Sequence, residues 1–467
     1  MISPNRIHTV SRPDLAYVPI RPFSPPNPVY SAVEDLFLGL GMDATHAKTP
    51  AWNPLGEIIR PGDSVIVKPN LVSSKNLHQK ITGDKLLASS THGSLLRPVL
   101  DYVLRATGPS GKVRVVDTPV EGCEIEKVAG PLGIYAVVEY LQKQGHDIAF
   151  LDLRYFRVRP YFLLDDVRAL GRSLNAGLLL RQSLLGDPLG YQVVDLKERS
   201  FFARADAPPG ERLRFHRSHY LTPVVHHTDG KHEYSLPKTV LSADVVINLP
   251  KMKTHKKTGV TLSLKSVIGL TNEKYWLPHF TAGDPTVSGD EYDRAQEAAE
   301  SLENRLSRFP LPGDHSLVLR APKVSARPKV IDGSWEGNKT LWRTILDLNK
   351  ILFFADRNGK LHDGPVRRYL TLVDGIVAGE GEGPLGATPI RAGLLIGGMN
   401  PVLADVVAAR AMGFPIQSMP MLWEALGDAL LPDSTLAALE HTQDGPPLSR
   451  PFVPPKSWPS LSVPEPS

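Results

Sequence analysis

Cysteine is almost missing from this 467-residue chain, which carries Cys123 alone. A single thiol excludes an internal disulfide, a four-cysteine zinc site and an iron–sulfur cluster held by this chain alone. The surrounding TPVEGCEIEK has no nucleophile spacing, so Cys123 reads as a small residue in a loop or at a helix start. Long apolar runs are missing too. No stretch reaches the ~20 apolar residues that span a bilayer. The opening MISPNRIHTVSRPDLAYVPIRP lacks the apolar run of a signal peptide. The expected location is cytoplasmic, with no membrane partner. A surplus of one charge is also lacking: 53 basic residues face 49 acidic ones, for a net +4. That balance disfavours nucleic acid as a partner. The phosphate-binding GxxxxGK[ST] does not occur.

What is present is ordinary globular composition, 42% hydrophobic and 22% charged. At ~150 residues per domain the length allows two to three domains, or one large domain with insertions. Residues 64 to 153 alternate between strand and helix patterns. SVIVK, KVRVVD and DIAFLDL are apolar strand runs, while SLLRPVLDYVLRAT and IYAVVEYLQKQG have helical spacing. Further strands are GYQVVDL, ADVVINL, YLTLVDG and AGLLIGG. Further helices are DEYDRAQEAAESLENRLSR, NKTLWRTILDLNKILFFA and NPVLADVVAARAMGF. The stretch YFRVRPYFLLDDVRALGRSLNAGLLLRQ reads as partly helical.

The expected class is α/β, a mostly parallel sheet or sheets flanked by helices, with an irregular insertion and Pro-rich terminal tails. The expected division is an N-terminal extension (1–60), a first α/β segment (61–154), the insertion (155–235), a second α/β segment (236–418), and a C-terminal helix with its Pro-rich tail (419–467). The tails, PIRPFSPPNP and PPLSRPFVPPKSWPSLSVPEPS, read as loosely wrapped. Five histidines and Asp229 crowd HRSHYLTPVVHHTDGKH without a metal-ligand spacing, which favours a structural or surface role.

In such sheets ligands bind beyond the strand C-termini. Two strand ends carry polar residues there, Lys68-Pro69-Asn70 and Asp117-Thr118-Pro119. A third, NLPKMKTHKKTGVTLSLKSVIGL, is denser. Lys251, Lys253, Lys256, Lys257 and Lys265 follow one another with His255 and no acid. If the chain stays extended, Lys251, Lys253 and His255 share one face, and Met252 and Thr254 the other. Crowded lysines repel one another, so this segment is expected to meet an anion or carboxylates from elsewhere. The alternative is a solvated basic loop.

Those carboxylates have a candidate source. LTLVDGIVAGEGEGPLGATP follows a strand and is expected to hold Asp374, Glu380 and Glu382 in a loop with glycines at 375, 379, 381, 383 and 386. Paired carboxylates there could bind a divalent metal or serve as acid and base. A flexible surface loop is the alternative. Asn400 is expected to cap a helix with Pro401 at its first position. Asp405, in the apolar VLADVVAARAM, is expected to meet a lysine or a metal, or to reach solvent.

VIVKPNLV, ADVVINLPKMKTHKKTGVTLSLKSVIGL and LTLVDGIVAGEGEGPLGATP followed by NPVLADVVAARAMGF resemble the bacterial family catalogued as domain of unknown function 362, from about Pro61 to Phe414. GKHEY and LWRTILDLNKILFFAD fit one of its branches. The resemblance implies no established activity. Some members are joined to ferredoxin modules, which makes a separate iron–sulfur protein a possible partner. Ser266 after Lys265 departs from the family's usual Lys-Asn pair. His255 and Lys265 also resemble the His-then-Lys arrangement of the lactate-racemase family. There the histidine ligates the nickel of a pincer nucleotide and the lysine anchors it. Ser263-Leu264 stands where that family has Gly-Gly.

The expected function is an enzyme acting on a small anionic or phosphorylated ligand. Lys68, Asn70, Lys251, Lys253, Thr254, Asn400 and Asp405 would bind the ligand or support its site. His255, Lys265, Asp374, Glu380 and Glu382 would do chemistry, with a divalent metal as a possible cofactor. The alternatives are a non-catalytic anion- or nucleotide-binding module and a redox-partner subunit.

Overall fold

The computed structural model describes the chain except residues 1–2, 19–26, 77–78, 162–177, 216–223, 286–287, 292–316, 320–332, 428–429, 432–433, 436, 439–447, 449 and 463–467. The helix expected over DEYDRAQEAAESLENRLSR lies almost wholly outside the described residues, as do His216 and His219.

Among the described residues the main sheet has ten strands. They are β1 (Ile7–Ser11), β2 (Ser64–Pro69), β3 (Lys112–Asp117), β4 (Ile148–Asp152), β5 (Val245–Leu249), β6 (Lys251–His255), β7 (Gly259–Val260), β8 (Arg368–Glu382), β9 (Gly386–Ile390) and β10 (Leu394–Gly398). The main path runs β1-β10-β8-β5-β2-β3-β4. Its five strands from β8 to β4 are parallel, while β10 and β1 extend it antiparallel. The α/β reading therefore holds. The strand Ile7–Ser11 shows that the N-terminal extension contributes an edge of this sheet.

The strand sequences explain the layering. Val65, Val67, Val113, Val115, Val245 and Ile247 join one apolar cluster with Val99 and Val103 of helix Gly93–Thr107 and Val137 of helix Ile134–Lys143. The alternate residues Ile66, Val116 and Val246 face a second cluster with Leu348 and Ile351 of helix Leu341–Phe354. A strand buried on both faces needs apolar residues at successive positions, which Val65–Val67 and Val245–Ile247 supply. Helix Gly93–Thr107 carries Pro98 inside it. Proline has no N–H for the Ser94 carbonyl, and that carbonyl instead accepts from the Asn27 side chain at 2.8 Å.

Two expectations change. LTLVDGIVAGEGEG is not a strand followed by a glycine loop. It is one 15-residue strand, β8, that turns into a hairpin with β9. Its N-terminal half pairs with β5 and β10, and its C-terminal half with β6 and β9. Close packing accounts for two of its glycines. A Cβ on Gly379 would sit 2.7 Å from the Ala88 carbonyl oxygen, and one on Gly375 would sit 2.9 Å from Met252 Sδ. YFRVRPYFLLDDVRALGRSLNAGLLLRQ has paired strands at its two ends, Phe156–Tyr161 and Leu178–Ser183, and its middle, 162–177, where helix was expected, lies outside the described residues. The C-terminal tail is packed over 450–462, with Phe452, Trp458 and Leu461 buried in a third apolar cluster.

Candidate functional site

Three neighbouring strand ends deliver the charges. Lys68 leaves β2, Asp117 ends β3, and Lys251 follows β5 through Pro250. Lys68 and Asp117 form an ion pair at 3.0 Å with both side chains 2% exposed. Asp117 also accepts from the Leu71 amide at 2.6 Å and the Thr118 amide at 2.8 Å. Lys68 donates to the Pro69 carbonyl at 2.8 Å. Gly269 sits directly over this pair. A Cβ there would lie 2.4 Å from Asp117 Oδ1 and 2.6 Å from Lys68 Nζ. Glycine is the residue that lets a backbone approach so closely.

The PKMKTH segment is strand β6, buried at every residue. Its alternation sends Met252 into the apolar cluster with Leu262 and Ala378. Lys251 lies 3.1 Å from Asp374 Oδ2, its register partner on β8. Tyr17 completes this group: its hydroxyl accepts from Lys251 Nζ and donates to Asp374 Oδ1, each at 2.5 Å. The Tyr17 ring stacks on His92, centroids 4.6 Å apart. Burial pushes the Tyr17 hydroxyl well above its ordinary value and pulls His92 down to about 4. Lys251 is thus locked into a charge-matched group whose ammonium and carboxylate side chains are both 0% exposed.

Lys253 is different. It is 0% exposed, its ammonium donates to the Ser89 carbonyl at 2.5 Å, and among the described residues it forms no ion pair. Burial, then the charges of Lys265, Lys251 and Lys68, pull its pKa well below that of a free lysine. His255 is also pulled well below its ordinary value, by burial and then by Lys265, Lys253 and Lys257. Its Nδ1 accepts from the Lys257 amide at 3.1 Å. A ring that accepts at Nδ1 is neutral and carries its proton on Nε2.

Lys265 lies on the short helix Leu262–Ser266. It is enclosed by protein yet keeps contact with solvent, as do Ile268 and Gly269 beside it. No described residue supplies it with a hydrogen-bond or ion-pair partner. Burial, reinforced by Lys257 and Lys68, lowers its pKa to about 8. Leu262, which opens this helix, has φ +57°. A branched residue in the left-handed region costs on the order of 1 kcal/mol, and such strain collects at functional sites.

Asp405 holds the helix in place. Its two carboxylate oxygens accept from the Ser263 and Leu264 amides at 2.7 and 2.8 Å. The expected lysine or metal partner is replaced by the orphan N–H groups of a helix start. Burial raises the Asp405 carboxyl to about 7. Asn400 caps its helix as expected, accepting from the Val402 and Leu403 amides. Thr254 donates to the Gly381 carbonyl at 2.8 Å, and Asn70 to the Ser89 carbonyl at 2.9 Å.

Glu380 and Glu382 lie apart from the lysines just described. Glu380 takes a two-pronged contact from Arg450 at 2.7 and 2.8 Å and also accepts from the Val453 amide. Glu382 pairs with Lys256 at 2.7 Å and accepts from the Lys456 amide. Trp458 Nε1 donates to the Lys256 carbonyl at 2.6 Å. These acids fasten the C-terminal tail across the end of β6. With Asp374 they form three separate ion pairs, and among the described residues no three His, Cys, Asp or Glu side chains converge as metal ligands.

Several residues were not singled out from sequence. Lys274, buried, donates to Thr118 Oγ1 at 2.7 Å, to Thr271 Oγ1 at 3.3 Å and to the Ile268 carbonyl. Three oxygen acceptors suit an ammonium, so although burial pulls its pKa down to about 7, this hydrogen bonding favours the charged form. Glu121, half-buried with one carboxylate oxygen out of solvent, has its carboxyl raised by burial. Only Asp117 had a signal in the sequence, its place at a strand end. Cys123 is buried and its thiol is raised to about 11, which suits the inert role expected of it.

An open groove of about 680 Å³ lies elsewhere, lined by Lys197, Phe202, Pro209, His227, Asp229 and His232 among others. None of the lysines above lines it. Uncompensated buried charge points to a ligand more strongly than an open groove does, so the lysine cluster is the candidate site. His227 in that groove is held through Nε2 on the Trp276 carbonyl at 3.0 Å, and burial lowers it to about 3.

In comparison with known proteins, residues 197–410 fit a family model described as a domain of unknown function, DUF362. No curated protein and no solved structure matches the chain. Among the described residues, no helix is long and apolar enough to cross a membrane.

Proposed function

Residues 197–410 belong to the domain-of-unknown-function 362 family, and from that premise we propose that the chain is an enzyme acting on a small anionic ligand bound at the lysine cluster. The observation that carries this reading is Lys265. An ammonium group enclosed in protein, open to solvent and without a described partner is costly unless something negative visits it. Lys68 and Lys253 lie close enough to add positive potential, and Asp117 offsets only part of it.

The ligand's anionic group would sit against Lys265 and the His255 Nε2–H. His255 is the second polar contact and, being neutral, can donate a hydrogen bond to an oxygen that gains charge. Lys265 can hold or release a proton near neutral pH, as an acid–base catalyst must. Lys251, Asp374 and Tyr17 would support the site, since their charges are already matched.

The test is thermal unfolding of the full chain against inorganic phosphate, pyrophosphate, small carboxylates and phosphorylated sugars. A ligand at ~100 times its Kd adds about 2.7 kcal/mol to the stability of the native state. Lys265→Ala is expected to abolish the shift, while Lys197→Ala, in the separate groove, leaves it unchanged. Stabilisation that survives Lys265→Ala would move the site elsewhere.

A further inference from the structure

We infer that the ligand carries a carbonyl group as well as its negative charge, and that Lys265 Nζ condenses with that carbonyl to form an imine. The inference rests on the anion-site reading above and specifies its substrate class. A lysine serves as a carbonyl nucleophile when three conditions meet: its amine must be reachable, unencumbered and partly uncharged. Lys265 is the one lysine of the cluster that meets all of them. Lys251 is sealed beneath Tyr17 and Asp374, Lys68 is tied to Asp117, and Lys253 is closed off under Ser89. Lys265 has solvent contact and no described partner, and its surroundings favour release of its proton.

His255 supplies the complementary group. Lys265 is the charged side chain that acts most strongly on its ring, so the two are neighbours. With Nδ1 occupied by the Lys257 amide, the ring offers an N–H at Nε2. In the step, the Nζ lone pair forms a C–N bond while the carbonyl π electrons move onto oxygen, where the His255 N–H stabilises them. One proton passes from nitrogen to that oxygen, giving a carbinolamine. The hydroxyl then leaves as water with a proton from solvent, and the nitrogen lone pair closes the C=N bond. The product is a protonated imine, which adds one positive charge that the ligand's own anionic group offsets.

Two sources share this chemistry, 2-oxo acids and phosphorylated aldehydes or ketones. The experiment treats the full chain at pH 8 with pyruvate, glyoxylate, dihydroxyacetone phosphate or glyceraldehyde 3-phosphate, each with sodium cyanoborohydride, and reads intact mass and peptide maps. The expected result is a gain equal to one probe less one oxygen atom, located on Lys265, from one of the two classes. Lys265→Arg keeps the charge and removes the nucleophile. It is expected to form no adduct at that position. His255→Gln is expected to slow adduct formation at least tenfold without moving it to another lysine. Anion binding with no adduct on Lys265 would overturn the imine and leave the anion site standing. Adducts spread equally over surface lysines would overturn it as well. Loss of anion binding in the unmodified chain would overturn both readings.

Discussion

Replacing Asp117 by Asn exposes the energetics of the site most sharply. The wild-type carboxylate faces Lys68 at 3.0 Å and accepts two amide hydrogens, all out of reach of water. The amide side chain has the same shape but brings two N–H donors and one acceptor. It cannot satisfy the Leu71 amide, the Thr118 amide and Lys68 together, and the Lys68 charge is left buried with only the Pro69 carbonyl beside it. Removing one partner of a buried pair costs about 3–5 kcal/mol. A folded protein has about 5–15 kcal/mol in all, so the loss is a large share. Urea unfolding at pH 7, followed by tryptophan fluorescence, measures it. Adding Lys68→Met to Asp117→Asn is expected to recover at least half of the loss, because no unpaired charge remains. Phosphate is expected to stabilise the single variant more than the wild type, since it returns a negative charge to the cluster. A loss below about 1 kcal/mol, or no recovery in the double variant, would refute the claim that Lys68 is a buried charge needing its partner.

Gly269→Ala places a methyl group against the same pair. It is expected to cost about 1–3 kcal/mol in unfolding and to weaken anion binding measurably, checked by urea titration and thermal shift. Glu380→Gln loosens the tail that Arg450 and Val453 fasten. Trypsin is expected to cleave at Lys456 several-fold faster, seen by mass spectrometry over time, with anion binding unchanged. His227 titrates near 3 when folded and near 6.5 when unfolded. Because its folded pKa is the lower one, the unfolded chain takes up a proton first as pH falls below 6.5, and stability drops. His227→Gln is expected to reduce the decline in stability by about 1.4 kcal/mol per pH unit between pH 6 and pH 4, read from urea titrations at several pH values.

Much of the sheet was legible from sequence because its strands are buried on both faces. Runs such as VVINL and KVRVV are dominated by valine and isoleucine, with Asn248, Lys112 and Arg114 as the polar exceptions, and Asn400-Pro401 marked a helix start correctly. The long strand Arg368–Glu382 was not legible, because its glycines look like loop residues. Their reason is close contact with Ala88 and Met252, which lie 291 and 123 positions away in sequence. The lysine-rich segment announced a special place, but not that Lys251 would be neutralised and Lys265 left open. That difference depends on Tyr17 and Asp374, brought in from distant parts of the chain. Glu380 and Glu382 share a spacing that suggests chemistry, yet their partners come from the Pro-rich tail. Asp405 shows the same limit, since a buried carboxylate can be answered by backbone amides that no sequence pattern reveals.

The most direct measurement is the proton linkage of anion binding. Titrating phosphate into the full chain by calorimetry at pH 8, in buffers of different ionisation enthalpy, counts the protons taken up per ligand. Lys265, with its pKa near 8, is about half protonated when free, and an anion beside it favours the charged form. The account predicts saturable binding with uptake of about half a proton per site, lost in Lys265→Ala. Binding without proton uptake, or uptake that persists in that variant, would contradict it.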